Sequence, residues 1–209
     1  MAETGNGTTD RSWNNSSLKD MKKEEPGLNV QERLEQKFLE SNVNFLFGEI
    51  DEESVGKVIQ WILYENLDAS KQKVLTLYIN SEGGSLYDAF ALIDVMRISV
   101  HPIRTVAFGS VMSAAFLIFA SGAKGERYIA PNTGILCHQF SSDIEGKYHD
   151  MKALSKENDL CNERMLNILR EASSLEPRLV KSRLLPASDV WLTAEELLEM
   201  GIADNFYGR

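Results

Sequence analysis

The sequence predicts an α/β fold in which a parallel sheet carries crossover helices. Two β-branched, apolar runs, 74–79 and 103–108, are each followed by a glycine-containing turn and then by a segment with helical spacing. This alternation of strand and helix is typical of a parallel sheet. The chain has 209 residues, of which 43% are hydrophobic, so it can form one ordinary globular core and is short for two.

The charge balance and the length of the apolar runs exclude several classes of protein. Lys and Arg total 22 against 31 Asp and Glu, a net charge of -9, which disfavours nucleic acid as the main partner because phosphate binding needs a basic face. The longest apolar stretch, near 112–120, is about half of the roughly 20 residues that span a membrane. The N-terminus shows no apolar signal region, so we expect a soluble protein in the cytoplasm. The two cysteines, Cys137 and Cys161, predict neither a disulfide framework nor a zinc site.

The chain is expected to comprise a polar arm and one folded domain. Residues 1–30 are rich in Asn, Ser, Thr, Gly, Lys and Glu, and such a segment buries too little apolar surface to offset its ordering entropy. Pro26-Gly27 marks a break in the chain. Residues 31–209 then form the folded domain.

Strands and helices are expected in alternation along this domain. Apolar residues at helical spacing indicate the helices, and short apolar runs bounded by turn residues indicate the strands. Ser85 is expected to cap a helix, with Asp88 in the capping-box position. We expect strands at 43–47, 74–79, 103–108, 127–130 and 134–138, turns at 80–84 and 109–110, and helices at 52–67, from Ser85, and at 112–120, 146–172, 176–185 and 193–200.

The first candidate for chemistry is the pair Gly83-Gly84 at the expected start of a helix. Glycines leave backbone N–H groups accessible, and a helix N-terminus attracts negative charge, so the pair suits an anion or the oxyanion of an acyl-transfer intermediate. The pattern is neither a Walker loop nor the dinucleotide fingerprint. A tight turn without a ligand is the more common explanation of a lone Gly-Gly pair.

Two serines lie at the second strand-to-helix junction, where 109–113 reads Gly-Ser-Val-Met-Ser. A serine there is usually a helix N-cap, but it can also be a nucleophile on a sharp turn, with an oxyanion N–H from Ala114 of its own helix. The pattern is not the Gly-x-Ser-x-Gly of α/β hydrolases. Ser113 lies deeper in the apolar run than Ser110, so it needs a hydrogen-bond partner or a function.

A serine nucleophile needs a base that titrates near neutral pH, and the chain has only three histidines. His101 precedes a proline in a loop and His149 lies in a polar helix, so both are most simply surface residues. His138 closes the apolar run 134–137. A histidine at a strand end is more often structural than catalytic, but a candidate serine nearby favours the catalytic role.

Such a site also needs a carboxylate that orients the histidine. Many acidic residues are available, and the sequence pattern alone does not choose among them. Asp189 is a reasonable candidate because it precedes the apolar run 190–192, where a carboxylate would be partly buried. The alternative is that Asp189 supports the N-terminus of the helix expected near Thr193.

Several short motifs, taken together and in order, resemble the proteolytic subunit of the Clp ATP-dependent protease, a serine peptidase family. The resemblance covers about 45–204, most of the folded part. The motifs are Phe-Leu-Phe-Gly at 45–48, Leu-Tyr-Ile-Asn-Ser-Glu-Gly-Gly-Ser at 77–85, Gly-Ser-Val-Met-Ser-Ala-Ala at 109–115, Ser-Gly-Ala-Lys-Gly-Glu-Arg-Tyr at 121–128, Pro-Asn at 131–132, His-Gln at 138–139, Asp-Val-Trp-Leu-Thr-Ala-Glu-Glu-Leu at 189–197 and Gly-Ile-Ala-Asp at 201–204. Ungapped motifs in the right order form a specific signal.

The resemblance implies a role for each candidate. It makes Ser113, rather than Ser110, the nucleophile, His138 the general base and Asp189 the residue that orients the base. The oxyanion hole is implied to be formed by the backbone N–H groups of Gly84 and Ala114.

The resemblance also implies the architecture and the partners. It implies a crotonase-like fold of repeated strand–strand–helix units, with a protruding handle helix from about Gly146. Two stacked heptameric rings, joined by this helix, would enclose a chamber, as a homo-oligomer or as a ring mixed with paralogues. A hexameric AAA+ unfoldase would feed unfolded proteins into it and would use the ATP, so no cofactor is expected in this chain. The compartment would be the cytoplasm, an organellar stroma or matrix, or the host cytoplasm for a viral copy.

The sequence departs from the family pattern at several positions, which indicates a divergent member. Glu82 stands where the family usually has Pro, Ala114-Ala115 replaces Met-Gly, and Phe140 replaces the Pro after His-Gln. The segment 141–148 lacks the usual glycine-rich strand that pairs with substrate. The arm lacks the apolar segment that normally docks the ATPase.

Three other functions compete with an active serine endopeptidase. One is a non-catalytic ring subunit that assembles with active paralogues, although a structural subunit does not need to keep Ser113, His138 and Asp189. Another is a crotonase-type acyl-CoA enzyme, which would share the fold and the oxyanion hole but would not need a serine activated by a histidine. A binding module without chemistry has no sequence feature in its favour.

Overall fold

The computed structural model describes residue 27 and residues 29–70, 72–141 and 145–208. The arm predicted over 1–30 lies outside these described residues except for Gly27, Asn29 and Val30. The chain divides into two compact units, residues 1–37 and 38–209. All the strands found in the described residues belong to the second unit.

Seven helices and seven strands follow one another in the part of the chain that the structure describes. In chain order they are α1 (Val30–Glu40), β1 (Val43–Ile50), α2 (Glu52–Glu65), β2 (Leu75–Gly84), α3 (Leu86–Ile98), β3 (Ile103–Met112), α4 (Ala114–Ala120), β4 (Arg127–Ile129), β5 (Gly134–Cys137), α5 (Tyr148–Ala172), α6 (Pro177–Leu184), β6 (Val190–Leu192), α7 (Ala194–Glu199) and β7 (Asn205–Phe206).

The sheet is mostly parallel, which confirms the predicted fold class. Strands β1, β2, β3, β4 and β7 lie side by side in that order, and each neighbouring pair is parallel. One edge of β3 changes partner along its length, pairing with β4 at Thr105–Ala107 and with β5 at Ser110–Met112. Strand β6 then adds to β5 in the antiparallel direction. The carboxyl end of β3 therefore meets the end of β5 and the start of β6.

The turns predicted at 80–84 and 109–110 are wrong, because both segments belong to longer, irregular strands. The β1–β2 pairing continues through the glycines to Ile50 opposite Gly84. The β2–β3 register shifts between Ile79 and Ser81. A bulge of this kind lets glycines at positive φ remain in a strand instead of ending it.

The starts of capped helices were predicted well, whereas α1, β6 and β7 were not predicted. The side chain of Ser85 accepts the N–H of Asp88 at the start of α3, but the reciprocal bond of the predicted capping box is not found there among the described residues. Thr193 forms a capping box with Glu196 at the start of α7. Helix α1 carries Val30, Leu34 and Phe38 at helical spacing, a pattern that the prediction missed, and all three side chains are exposed. Strands β6 and β7 have three and two residues, which is too short for a periodic pattern.

The core lies between the sheet and helices α2, α3 and α4. All seven residues of α4 are buried, and this helix packs against β2, β3 and α3. Two phenylalanines of α4, Phe116 and Phe119, are among the largest fully buried side chains. Burial of such a side chain contributes about 1.5–3 kcal/mol, so α4 is firmly placed at the end of β3.

Aromatic residues that alternate with buried ones cover the other face of β1, β2 and β3. The rings of Phe45, Phe47, Tyr78 and Phe108 lie within 6 Å of a neighbour in this cluster. The hydroxyls of Tyr78 and Tyr207 lie 2.7 Å apart. Burial and then this hydrogen bond raise the pKa of Tyr78 to about 12, so its phenol is protonated at neutral pH.

A buried arginine joins β4 to the ends of α5 and α7. The guanidinium of Arg127 donates to both carboxylate oxygens of Asp204, at 2.8 and 2.6 Å. It also donates to the carbonyls of Ala172 and Gly201, at 2.6 and 2.7 Å. Burial by itself raises the pKa of Asp204, but the hydrogen bonds from Arg127 outweigh it and hold the pKa below its usual value. The pair is therefore ionised at neutral pH.

Within the described ranges, no helix combines the length and the apolar character that a membrane span requires.

Candidate active site

The path of β3 toward the candidate site is fixed by Asn80 of β2. The side-chain Oδ1 of Asn80 accepts the backbone N–H of Ser110 at 2.9 Å and its hydroxyl at 3.2 Å. Gly109 has a φ of +71°, and a Cβ there would lie 2.4 Å from Asn80 Oδ1. The side chain of Asn80 thus fills the bulge of β3, and it engages both the N–H and the hydroxyl of Ser110 within the sheet.

Ser113 lies in a strained turn between β3 and α4. Its φ of 53° and ψ of -121° are rare for a residue with a side chain, and its N–H donates to the carbonyl of Leu136 at 2.9 Å. Ser113 occupies the N-cap position of α4, yet its side chain makes no capping hydrogen bond. This geometry favours the nucleophile over the N-cap interpretation, because a strained strand-to-helix turn exposes the hydroxyl.

Gly83 lies directly against Ser113. A Cβ on Gly83 would lie 2.8 Å from Ser113 Cβ, 3.0 Å from Met112 O and 3.3 Å from Ala114 N. The N–H of Gly83 is already donated to Ser81 Oγ at 3.1 Å. This contact was not predicted from the sequence, although the pair Gly83-Gly84 is the signal that could have revealed it.

The predicted oxyanion donors, Gly84 and Ala114, lie on either side of this contact. Gly84 ends β2, and a Cβ there would lie 2.3 Å from Ile50 O, so only glycine fits the position. Ala114 is the first residue of α4, and the first N–H groups of a helix have no acceptor within the helix. The two amides are thus held by rigid elements next to Ser113.

His138 follows β5 and holds its imidazole in a defined orientation. Its Nδ1 lies 2.6 Å from the carbonyl oxygen of Gln139. A carbonyl only accepts a hydrogen bond, so Nδ1 carries the proton and Nε2 keeps a free lone pair. This is the tautomer that a general base for a serine requires.

The strand register brings the three predicted catalytic residues to one end of the sheet. Met112 pairs with Leu136, so Ser113 follows next to the end of β5. Cys137 pairs with Val190 in the antiparallel β5–β6 ladder, so the next pair outward is His138 and Asp189. The topology therefore places all three residues together, although they are distant in sequence.

The side chains themselves are not joined by hydrogen bonds. Among the described residues, no hydrogen bond connects Ser113, His138 and Asp189, since His138 bonds to Gln139 O instead. Asp189 is exposed, so the prediction of a partly buried carboxylate is wrong. The run 190–192 that follows is only half-buried itself, and Trp191 is 64% exposed.

Cys137, next to the histidine, does not compete as a nucleophile. Its side chain is buried, and burial raises the pKa of the thiol to about 12. At neutral pH the thiol is therefore protonated, and a thiol is a far weaker nucleophile than a thiolate.

Of the other histidines, only His149 lies at the surface as predicted. His101 is 2% exposed, and its Nε2 lies 3.1 Å from the carbonyl of Glu65 at the end of α2. The prediction failed because the loop that carries His101 is covered by α2. His101 serves packing just before the amino end of β3, whereas Ser113 follows the carboxyl end of the same strand.

A serine on a strained strand-to-helix turn, next to a histidine with a free Nε2, defines a candidate site for acyl transfer on an α/β sheet. The comparisons with known proteins agree with this class. The chain belongs to the Clp protease family, whose profile matches residues 26–209.

Curated relatives match along most of their own length. Proteolytic subunit 2 of the ATP-dependent Clp protease of Treponema denticola is 32% identical over 175 residues, which cover 83% of this chain and 86% of the relative. Proteolytic subunit 1 of Mycobacterium tuberculosis is 29% identical over 195 residues, 93% of this chain and 96% of the relative. Proteolytic subunit 2 of Thermobifida fusca is 29% identical over 184 residues, 88% and 89% of the two chains. These matches confirm the resemblance predicted from the motifs.

Proposed function

We propose that this chain is a serine endopeptidase subunit that hydrolyses peptide bonds of unfolded proteins inside an oligomeric chamber. The observation that carries the proposal is the conformation of Ser113, whose φ of 53° and uncapped side chain present a hydroxyl at the β3–α4 turn. Membership of the Clp protease family supports the peptidase class.

In the proposed mechanism, Ser113 and His138 carry the covalent chemistry. Ser113 Oγ attacks the peptide carbonyl while His138 Nε2 takes the hydroxyl proton. The C–N bond then breaks, and the imidazolium returns the proton to the leaving amine. Water, activated by the same imidazole, hydrolyses the acyl-enzyme and regenerates Ser113.

The negative charge of the tetrahedral intermediate is assigned to two backbone amides. The N–H of Gly83 is engaged by Ser81, which leaves the N–H groups of Gly84 and Ala114 as the proposed oxyanion hole. Donors held by rigid backbone stabilise the oxyanion without reorganising during the reaction.

Asp189 is proposed to act when His138 becomes charged. The β5–β6 ladder ends at the pair Cys137 and Val190, which supports a position of Asp189 near His138, where a carboxylate would stabilise the imidazolium that forms as the serine attacks. No metal or cofactor takes part in this scheme.

The assembly proposed for the chain follows from its family. The relatives are named proteolytic subunits of an ATP-dependent protease, which supports two stacked heptameric rings fed by a hexameric AAA+ unfoldase that consumes the ATP. Paralogues sharing the ring remain compatible with this arrangement. The proposed compartment is the cytoplasm or its organellar equivalent.

A fluorophosphonate probe, which phosphonylates activated serines with loss of fluoride, tests the proposal. We expect the assembled wild-type protein to be labelled and the Ser113→Ala variant to be unlabelled, because the probe phosphonylates the nucleophile itself. Ser110→Ala is the matched control and should keep labelling, since Ser110 bonds to Asn80 within the sheet.

The alternative functions predict the opposite result for the wild type in this experiment. A non-catalytic ring subunit or an acyl-CoA enzyme would leave the wild type unlabelled, and that result would overturn the peptidase proposal. Labelling that persists in Ser113→Ala would overturn the assignment of the nucleophile.

A further inference from the structure

A single peptide group next to the proposed base is held from both ends. The carbonyl of Gln139 accepts the Nδ1–H of His138 at 2.6 Å. The N–H of Phe140, at the other end of the same peptide group, donates to Asn162 Oδ1 at 2.9 Å. Because a peptide group is planar, the two hydrogen bonds together fix the direction in which the carbonyl points.

The side chain of Asn162 is itself held in the orientation that this arrangement needs. Its Nδ2 donates to the carbonyl of Asn158, one turn earlier on α5, at 3.0 Å. An N–H group can only donate, so the Phe140 N–H requires the oxygen of Asn162 and the helix carbonyl takes the nitrogen. Asn162 is half-buried, which limits competition from water.

Two further contacts restrain the same segment, which has no regular secondary structure. Gln139 Nε2 donates at 2.9 Å to the carbonyl of Leu185, a buried residue at the end of α6. The ring of Phe140 packs against the hydrophobic core. The peptide group between Gln139 and Phe140 is therefore anchored on α5, on α6 and in the core.

We propose that Asn162 is a positioning residue for the general base and acts through this peptide group. Hydrogen bonds in series polarise one another, so the bond from Phe140 N–H to Asn162 makes the Gln139 carbonyl a stronger acceptor for His138. That keeps the proton on Nδ1 and the lone pair on Nε2. We call the chain Asn162, peptide 139–140 and His138 the peptide clasp, and it rests on the proposed function of His138.

The peptide clasp requires a residue with an N–H at position 140. Proline has no N–H, so Phe140 is what allows Asn162 to take part. Asp189 is exposed and makes no hydrogen bond to His138 within the described part of the chain. The clasp therefore sets the resting orientation of the imidazole, while the charge of Asp189 acts once the imidazolium has formed.

A double-mutant cycle on the assembled protein tests the clasp. The rate constant of fluorophosphonate labelling is measured for the wild type, Asn162→Leu, Phe140→Pro and the double variant. Loss of one hydrogen bond corresponds to a factor of about ten, so we expect each single variant to react about tenfold more slowly. The double variant should be no slower than the slower single variant, because both changes remove the same interaction.

Two matched variants on α5 distinguish a loss of His138 positioning from a general disruption of the helix. Asn162→Asp keeps an acceptor for Phe140 N–H and should label within about threefold of the wild-type rate. Asn167→Leu changes an exposed asparagine on the same helix, whose Oδ1 accepts from Arg170, and should label at the wild-type rate.

The tautomer of His138 provides a readout that a purely structural role would not change. Solid-state ¹⁵N NMR of the sedimented assembly with labelled histidine resolves the two ring nitrogens at a pH where the imidazole is neutral. The three histidines of the chain are distinguished by recording His138→Gln as a reference. We expect the proton on Nδ1 in the wild type and a mixture of both tautomers in Asn162→Leu.

The outcomes distinguish the clasp from the proposed function. An unlabelled wild type overturns the function of Ser113 and His138. A labelled wild type with an unchanged rate and tautomer in Asn162→Leu, or additive effects in the cycle, overturns the clasp alone. If Asn162→Leu does not fold, the labelling rates of Asn162→Asp and Phe140→Pro are compared instead. A wild-type rate in Asn162→Asp with a reduced rate in Phe140→Pro supports the clasp, and equal rates in the two variants overturn it.

Discussion

Ser113 adopts a conformation that its neighbours must impose. A positive φ costs a residue with a side chain about 1–3 kcal/mol, and it is maintained here by the bond from Ser113 N–H to Leu136 O and by the close packing of Gly83. The same turn directs the hydroxyl away from the helix that it would otherwise cap. At the scale of the residue, the backbone strain of Ser113 and the reactivity proposed for its hydroxyl therefore have the same structural origin, the turn between β3 and α4.

Gly83→Ala tests this packing. The new Cβ would lie 2.8 Å from Ser113 Cβ and 3.0 Å from Met112 O, at a φ of +109° that alanine rarely adopts. Ser113 must shift to make room, and a displacement of about 1 Å can cost a catalytic step about 100-fold. We expect fluorophosphonate labelling to slow by about that factor while circular dichroism shows a folded protein.

Gly56→Ala is the control for this substitution. Gly56 lies in α2, and a Cβ there meets nothing within 4 Å, so alanine should stabilise the helix by up to about 1 kcal/mol and leave labelling unchanged. A Gly83→Ala variant that labels at the wild-type rate would contradict the role given to the Gly83–Ser113 contact.

From the sequence, the candidate site was predicted only where the type of the residue itself indicates chemistry. Ser113 and His138 stand out as a serine and a histidine at the ends of apolar runs. Asn162 does not, because it lies 22 residues beyond Phe140 in the chain and acts through a backbone N–H. The sequence also gave no means of knowing that Nδ1 of His138 would bond to Gln139 O, since that depends on the path of the backbone after β5.

At the scale of the elements, the buried Arg127 is the main polar connection between the sheet and the C-terminal helices. Its guanidinium bonds to Asp204 and to the last carbonyls of α5 and of the turn after α7. Cationic groups are favourable at helix C-termini, so Arg127 provides hydrogen bonds and a positive charge to the end of α5, to the turn after α7 and to Asp204. Removing either charge leaves the other one buried without its counter-ion.

The Arg127–Asp204 pair makes stability depend on pH. The pKa of Asp204 is held below its usual value, so its contribution is complete above the unfolded-state pKa of about 3.9 and is lost as the pH falls through the lower, folded-state pKa. We expect Asp204→Asn to lower the free energy of unfolding by about 1.5–3 kcal/mol at pH 7. The difference from the wild type should shrink below about pH 4.

Urea unfolding at pH 7, 5 and 3, at one fixed protein concentration, measures this difference, because assembly makes stability depend on concentration. Glu53→Gln is a suitable control, since its ion pair with Lys57 is fully at the surface and such pairs contribute little. A destabilisation by Asp204→Asn that is the same at all three pH values would contradict the ionic role of the pair.

Element boundaries were predicted best where a cap or an apolar stripe marks them. The prediction for the long helix, 146–172, and the structure, Tyr148–Ala172, agree within two residues. The predicted ends of β2 and β3 failed because glycine in sequence signals a turn, whereas the neighbouring strand β1 keeps pairing past it. Such pairing is a tertiary effect, and a local pattern does not contain it.

At the scale of the whole molecule, the distribution of burial along α5 bears on assembly. The buried residues of this helix all lie from Cys161 onward. Its first half carries exposed apolar side chains instead, with Tyr148 61%, Met151 40% and Leu160 42% exposed. Apolar groups on a helix that leaves its own core are typical of a contact surface, which supports the proposed role of α5 in joining two rings.

Charged substitutions in this half of α5 should separate the rings. We expect wild-type protein to have about fourteen times the 23.5 kDa mass of the chain, as two stacked heptamers require. Tyr148→Lys combined with Met151→Lys places two charges on one face of α5, which is unfavourable in an apolar contact without partners, and should give about half that mass. Neither side chain belongs to the core of the subunit, so the fold should be kept.

Light scattering after size-exclusion chromatography measures both masses, with Lys181→Glu on the exposed face of α6 as a control that keeps the wild-type mass. A double variant of unchanged mass would contradict the role of α5, and a wild type that stays monomeric near 23.5 kDa would contradict the ring itself.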